Sequence, residues 1–155
     1  MPPKRCSCSY LLDDPAALGV LVELLGTSPF LTEILIRDPE YFHWLMSQLN
    51  RPPNAALEDE WGDSTRSKRV RGRGMESAEA LDALKRRKRQ HLLLIAARDI
   101  LGRDTLQAST AQLSMLADLM VDNVLEIVAG DVLAADGLDR MPGRFAVIGM
   151  GKSNT

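Results

Sequence analysis

The residues best placed to do chemistry lie near the end of the sequence, in the motif Gly149-x-Gly151-Lys152. Such a turn presents backbone amides, and the lysine adds an ammonium group; both attract phosphate. The motif is therefore a candidate phosphate cradle. It is not a Walker loop, because that loop needs a glycine where this sequence has Ala146. Taken alone, the motif is better explained as a turn that only ends a strand.

Cysteine and histidine form no recognisable metal-binding or catalytic arrangement in this sequence. Cys6 and Cys8 have no second cysteine pair, so neither a disulfide framework nor a four-ligand zinc site can be built from them. His43 and His91 have no cysteine or carboxylate at ligand spacing, which favours packing or surface roles. We therefore assign no catalytic residue and no metal ligand.

A run of five basic residues, Lys85 to Arg89, is the second candidate for a functional feature. Five consecutive helix positions surround more than half of the circumference, so some of these side chains must extend past the core. The ordinary interpretation is a solvated face. The functional interpretation is docking against an acidic protein surface or nucleotide phosphates. Further on, Arg98 would need a matching group if it were buried, and we favour a structural role for it.

An N-terminal helical segment, residues 1–50, is predicted to hold three short helices. Each begins at a capping residue followed by proline, namely Asp14-Pro15, Ser28-Pro29 and Asp38-Pro39. Apolar residues at helical spacing predict the buried faces of the first two helices. They are Leu18, Leu21, Val22 and Leu25 in the first helix, and Phe30, Ile34 and Leu35 in the second.

The rest of the chain divides into three parts. Residues 51–77 lack sustained periodicity and contain several prolines and glycines, which predicts a flexible basic linker. Residues 78–136 predict two long helices, the first ending at Gly102 and the second capped by Ser109 or Thr110. Residues 144–152 predict one buried strand and the glycine turn. A lone strand leaves backbone groups unpaired, so a sheet is expected to follow it.

Composition favours a mainly α fold, because 45% of the 155 residues are hydrophobic while only 5% are aromatic. The net charge of -2 argues against a dedicated nucleic-acid binder, although basic residues are concentrated in one third of the chain. No apolar run approaches the ~20 residues that span a membrane, and the N-terminus lacks the apolar core of a secretion signal. We expect a cytoplasmic protein with no membrane or nucleic-acid partner.

Three segments, in this order, resemble the N-terminal half of bacterial glutamine synthetase adenylyltransferase, a bifunctional enzyme that attaches AMP to glutamine synthetase and removes it. They are SPFLTEILIRDP at residues 28–39, KRRKRQHLLLIAARDILG at 85–102 and RFAVIGMGK at 144–152. In the family, the third segment runs into Leu-Gly-Gly and then into the Ser-Asp-x-Asp motif that holds the catalytic metals. This sequence continues instead with Ser153-Asn154-Thr155.

The resemblance implies the helical N-terminal region of a nucleotidyltransferase-type enzyme, ending in the first β-strand of a truncated catalytic domain. It implies ATP and Mg²⁺ as cofactors of the full-length family, and glutamine synthetase and a PII-type regulatory protein as partners. It places Gly149, Gly151 and Lys152 at the edge of the nucleotide pocket. Because metal-assisted nucleotidyl transfer needs clustered carboxylates, we expect this chain to bind no cofactor tightly and to be inactive alone.

Two alternatives to an enzyme fragment remain open on the sequence alone. One is a self-standing helical interaction module that binds an acidic protein partner through its basic helix. The other is a truncated or frameshifted product with no independent role.

Overall fold

The computed structural model describes residues 14–52, 55, 57, 77–139, 143, 146 and 147. Within them the main elements are the helices α1 (Pro15–Thr27), α2 (Pro29–Arg37), α3 (Glu40–Gln48), α4 (Ser77–Ile100) and α5 (Leu106–Asp136). The prediction of a mainly helical chain is confirmed. The division into domains stays a prediction. No helix in the described ranges is both long and apolar enough to cross a membrane.

Side-chain caps fix the starts of the first two helices. The Asp14 carboxylate accepts hydrogen bonds from two backbone N–H groups in the first turn of α1, at 2.9 and 3.2 Å. The Ser28 hydroxyl accepts one from the Leu31 N–H, at 3.3 Å, at the start of α2. In both helices a proline follows the cap, and it has no backbone N–H that would need an acceptor. These two predicted caps are therefore confirmed. The third is not, because Pro39 occupies the cap position of α3 and no side chain caps that helix.

The turn between α4 and α5 differs from its prediction at one end. Gly102 follows α4 with a φ of +63°, a left-handed conformation that suits glycine, as the sequence predicted. The cap of α5 is Thr105, whose hydroxyl accepts a hydrogen bond from the Ala108 N–H at 3.2 Å. Ser109 and Thr110 lie inside α5, so the prediction that one of them caps the helix is wrong.

Helices α4 and α5 form an antiparallel pair that makes the most extensive contact between two elements. The Ser77 hydroxyl, at the start of α4, donates to the Asp131 carboxylate near the end of α5. At the opposite end of the pair, the Ser109 hydroxyl donates to the Asp99 carboxylate at 3.0 Å. The short turn joins the end of α4 to the start of α5, so that the two helices form a long helical hairpin.

The main core lies where α1, α2 and α3 pack against the second half of α4. Its fully enclosed side chains include Leu24, Leu31, Leu45 and Leu93, each with no exposed surface. Burying one such leucine contributes about 2 kcal/mol. This cluster makes α4 the element around which the N-terminal helices assemble.

A smaller core joins α4 to α5 through Leu84, Ile95 and Leu116. Leu57 completes it and is 2% exposed, although it falls in the stretch predicted to be a linker. That stretch therefore contributes at least one side chain to the hydrophobic core. An isolated leucine carries no periodic signal, and for this reason the sequence did not indicate its burial.

The buried face of α1 differs from the predicted one. Leu18, Val22 and Leu25 are exposed, while Ala17 and Leu24 face the core. In α2, Ile34 and Leu35 are buried as predicted, but Phe30 is exposed. Glu23 is the one charged residue of α1, so apolar groups surround that helix and their spacing does not select a face.

Candidate functional site

The predicted phosphate-binding turn, formed by Gly149, Gly151 and Lys152, lies outside the described residues. Ala146 and Val147, just before it, are described and exposed, and neither belongs to a strand. The predicted strand over 144–149 is therefore not shown. Its turn stays a prediction from the sequence.

Metal-binding chemistry has no support within the part of the chain that the structure describes. No group of three or more His, Cys, Asp or Glu side chains there is arranged to hold a metal ion. Divalent cations such as Mg²⁺ need several oxygen ligands at one point. The described residues do not fit an Mg²⁺ site, and we derive no chemical step through one. Cys6 and Cys8 lie outside these residues.

The basic run lies in the middle of α4, before the part of the helix that holds most of its buried residues. Lys85 pairs with Asp82 at 3.0 Å, and Arg89 lies 3.7 Å from the carboxylate of Asp38. The hydrogen bond from Lys85 holds the pKa of Asp82 below its usual value, and the charge of Lys85 acts in the same direction. Both ends of the run are thus partly neutralised by nearby aspartates.

The middle of the basic run projects into solvent. Arg86 and Lys88 are exposed, and no salt bridge among the described residues joins either of them. Two cations are therefore available to an anionic partner. This arrangement suits electrostatic attraction rather than a rigid phosphate site, because no salt bridge within the described ranges holds these long side chains in place.

Near its C-terminal end, α4 carries a buried arginine at the centre of a polar junction. The Arg98 guanidinium donates from Nη2 and Nε to the two oxygens of Asp104, at 2.7 and 2.8 Å. Its Nη1 donates to the carbonyl oxygens of Leu49 and Arg51, at 2.9 and 3.0 Å. Gln112 also donates to Asp104, at 2.9 Å. The junction ties the end of α3 to both long helices.

Arg103 makes a second link to the end of α3. It donates to the Leu49 carbonyl at 3.1 Å and to the Asn50 side-chain oxygen at 2.8 Å. The last carbonyls of a helix lack partners within it. Here Arg98 of α4 and Arg103 of the following turn both donate to the carbonyl of Leu49, at the end of α3. We call this set, Arg98, Arg103, Asp104 and Gln112 with the chain at 49–51, the arginine junction.

Electrostatics at the junction hold both members of the ion pair in their charged forms. Hydrogen bonding from Arg98 lowers the pKa of Asp104; burial opposes this change, and the Gln112 hydrogen bond reinforces it. The hydrogen bond to Asp104 raises the pKa of Arg98. Neither group is poised to exchange a proton near neutral pH. The geometry is that of an anchor between helices, as the structural role favoured for Arg98 requires.

The two histidines also occupy the positions favoured for them. His91 is 1% exposed, and its ring meets Trp44 edge to face with centroids 5.6 Å apart. His43 and Glu40 line a shallow groove of about 490 Å³ beside α3. A packed ring in one case and a surface ring in the other agree with the packing or surface roles inferred from the sequence.

The sequence indicates that Arg98 needs a partner if it is buried, but it does not indicate that Asp104 is that partner. Asp104 lies in the turn after α4, and no spacing rule connects a helix residue to a turn whose course is unknown. The available signal was the dipeptide Asp104-Thr105, because such residues commonly stand directly before a helix.

The model of the family described as glutamate-ammonia ligase adenylyltransferase matches residues 18–154. The matched range begins in α1, includes the arginine junction and extends through Gly149, Gly151 and Lys152. No solved structure matches the chain.

Proposed function

The chain belongs to the glutamate-ammonia ligase adenylyltransferase family, and we propose that it forms the helical N-terminal portion of an enzyme that adenylylates and deadenylylates glutamine synthetase. One observation carries this proposal: the family match is continuous from residue 18 to residue 154 and includes the glycine turn. Glutamine synthetase is the substrate partner that the family implies. A PII-type regulatory protein and a cytoplasmic location are further parts of the proposal.

In this proposal the described helices support the nucleotide site rather than perform its chemistry. The α4–α5 hairpin is anchored by the arginine junction at one end, and α5 ends at Gly137 in a left-handed conformation. The chain then leads to Gly149, Gly151 and Lys152, which we propose to contact the phosphates of ATP. Mg²⁺ would need carboxylates other than those described here, so we propose that the isolated chain binds neither cofactor tightly and is inactive.

The activity test measures labelled AMP on glutamine synthetase. Purified chain is incubated with glutamine synthetase, ATP, phosphate, magnesium and a PII-type protein, with a full-length family member as the positive control. We expect no transfer or removal of AMP by the chain. Metal-dependent turnover that is lost in Lys152→Ala and kept in Arg37→Ala would contradict the proposal. Arg37 is a suitable control because it is an exposed cation on α2, paired with Glu33 at 2.9 Å.

A second candidate function is an interaction module that binds an acidic protein surface through the basic run. The exposure of Arg86 and Lys88 favours it. Under this proposal, Arg86→Glu with Lys88→Glu abolishes binding to glutamine synthetase in a pull-down, while Arg37→Glu leaves it intact. Equal binding by both variants would exclude the basic run as the docking element.

A further inference from the structure

Helix α5 exposes a regular apolar stripe. Of its members, Val124 alone packs against the smaller core between α4 and α5, and no other described residue is shown to cover the rest. Leu113, Val121, Val128 and Val132 are 43%, 37%, 44% and 42% exposed, respectively. Ala117 and Ala135 are also exposed, and Val124 is partly buried. The full series is 113, 117, 121, 124, 128, 132 and 135. Because its members recur at intervals of three and four, they line one side of α5 over about 33 Å.

Most of the stripe lies beside the side of α5 that packs on α4, and the two sides meet at Val124. Leu116 and Gln112 are buried against the hairpin, whereas the stripe residues beside them in sequence face away from it. Only four of the 31 residues of α5 are buried, namely Ser109, Gln112, Leu116 and Gly130. A long helix with a second apolar face is typical of an element that packs on two sides.

One edge of the stripe is acidic. Asp118, Asp122 and Asp136 each directly follow a stripe residue, which places them about 100° round the helix from it. All three are exposed, and none forms a salt bridge with another described residue. Glu126 and Asp131 are also acidic, and α5 contains no lysine, arginine or histidine. The edge therefore offers negative charges without compensating cations on the same helix.

We propose that this face of α5, the stripe with its acidic edge, is the docking site for a basic amphipathic helix of a partner protein. The apolar side of that helix would cover the stripe, and its lysines or arginines would lie along Asp118 and Asp122. Amphipathic helices are commonly bound in this way, with apolar anchors spaced by three and four. The charges select the partner, since an acidic helix would be repelled. A second α5 is not such a helix, because it supplies no cation.

The experiment measures binding of two synthetic helical peptides to the full chain by fluorescence anisotropy. Both peptides carry leucines at intervals of three and four; one has lysines beside them, and the other has glutamates. We expect the lysine peptide to bind at least about tenfold more tightly, with an affinity that falls as salt is raised. Asp118→Lys with Asp122→Lys should reverse the preference, and Val121→Glu with Val128→Glu should abolish binding.

A matched control changes the same charges elsewhere. Glu23→Lys with Glu33→Lys alters two exposed residues of α1 and α2 and should leave the preference unchanged. Far-UV circular dichroism checks that each variant stays helical. Three outcomes would overturn the proposal: equal binding of the two peptides, loss of the preference in the control variant, or a dimer in sedimentation that Val121→Glu disrupts. The last would assign the stripe to a second copy of the chain.

Discussion

Helix α4 carries a buried basic side chain near its C-terminal end and an exposed one near its middle. Arg98 is 6% exposed and donates four hydrogen bonds, two to a carboxylate and two to carbonyl oxygens. Lys88, ten residues earlier, is exposed and joined by no described salt bridge. Both residues are cations, yet only Arg98 makes described hydrogen bonds that hold the fold together. A cation contributes to stability where its partners are fixed and water is excluded, and remains available for binding elsewhere.

The largest effect expected from this comparison is the loss of the buried cation. Arg98→Ala leaves Asp104 charged and buried, and it removes the donor to the carbonyls of Leu49 and Arg51. Breaking one side of a buried pair costs about 3–5 kcal/mol. We expect a loss of that size in the free energy of unfolding, measured by urea denaturation with circular dichroism.

If Arg98→Ala does not fold at all, Arg98→Lys provides a second measurement. Lysine keeps the charge but lacks the planar fork that reaches both Asp104 oxygens. Its stability should lie between those of the wild-type chain and the alanine variant. A lysine variant as stable as the wild type would show that charge alone, not the bidentate geometry, holds the junction.

Acid should weaken the same junction. Arg98 lowers the pKa of Asp104 in the folded chain, so this carboxylate contributes stability that is fully present above its unfolded pKa of about 3.9. That contribution is lost as the pH falls through the lowered folded value. Urea midpoints measured from neutral pH to below pH 4 should therefore decrease. Asp104→Asn should flatten the decrease, and an unchanged slope in that variant would assign the acid sensitivity to other carboxylates.

The positions of the helices were largely predictable because local signals mark their ends. Asp14-Pro15, Ser28-Pro29 and Gly102 each appear where the structure begins or ends a helix. Caps depend on backbone groups a few residues away, so sequence order is sufficient to identify them. The burial of individual faces was less predictable. Leu18 and Val22 have the expected spacing, but tertiary packing placed Ala17 and Leu24 inside.

Contacts between distant segments could not be predicted from the sequence. Leu57 reaches the core between α4 and α5, and Asp104 turns back onto Arg98. Each contact depends on the course of a connecting segment, about which periodicity carries no information. The family was identified from sequence motifs and is confirmed by the family match. The proposed phosphate contacts of Gly149, Gly151 and Lys152 remain predictions.

A third prediction concerns the turn that presents Asp104 to Arg98. Gly102 has a φ of +63°, and a Cβ there meets no atom within 4 Å, so only backbone strain opposes a side chain. Gly102→Ala should lower the free energy of unfolding by about 1–2 kcal/mol. Gly19, in the exposed interior of α1, is the matched control. Gly19→Ala should raise stability by about 0.5–1 kcal/mol, since alanine favours the helix. Equal signs for the two variants would contradict this account of the turn.

The smallest effect is expected in the exposed basic run of α4. Lys88→Ala removes a solvated cation with no described salt bridge, and such surface changes alter stability by less than about 0.5 kcal/mol. Urea denaturation in the same buffer as Arg98→Ala gives the direct comparison. A loss above about 1 kcal/mol would mean that Lys88 has a fixed partner, as Arg98 does. A change below about 0.5 kcal/mol would show that Lys88 is not needed for the fold. The basic run would then be free to bind a partner.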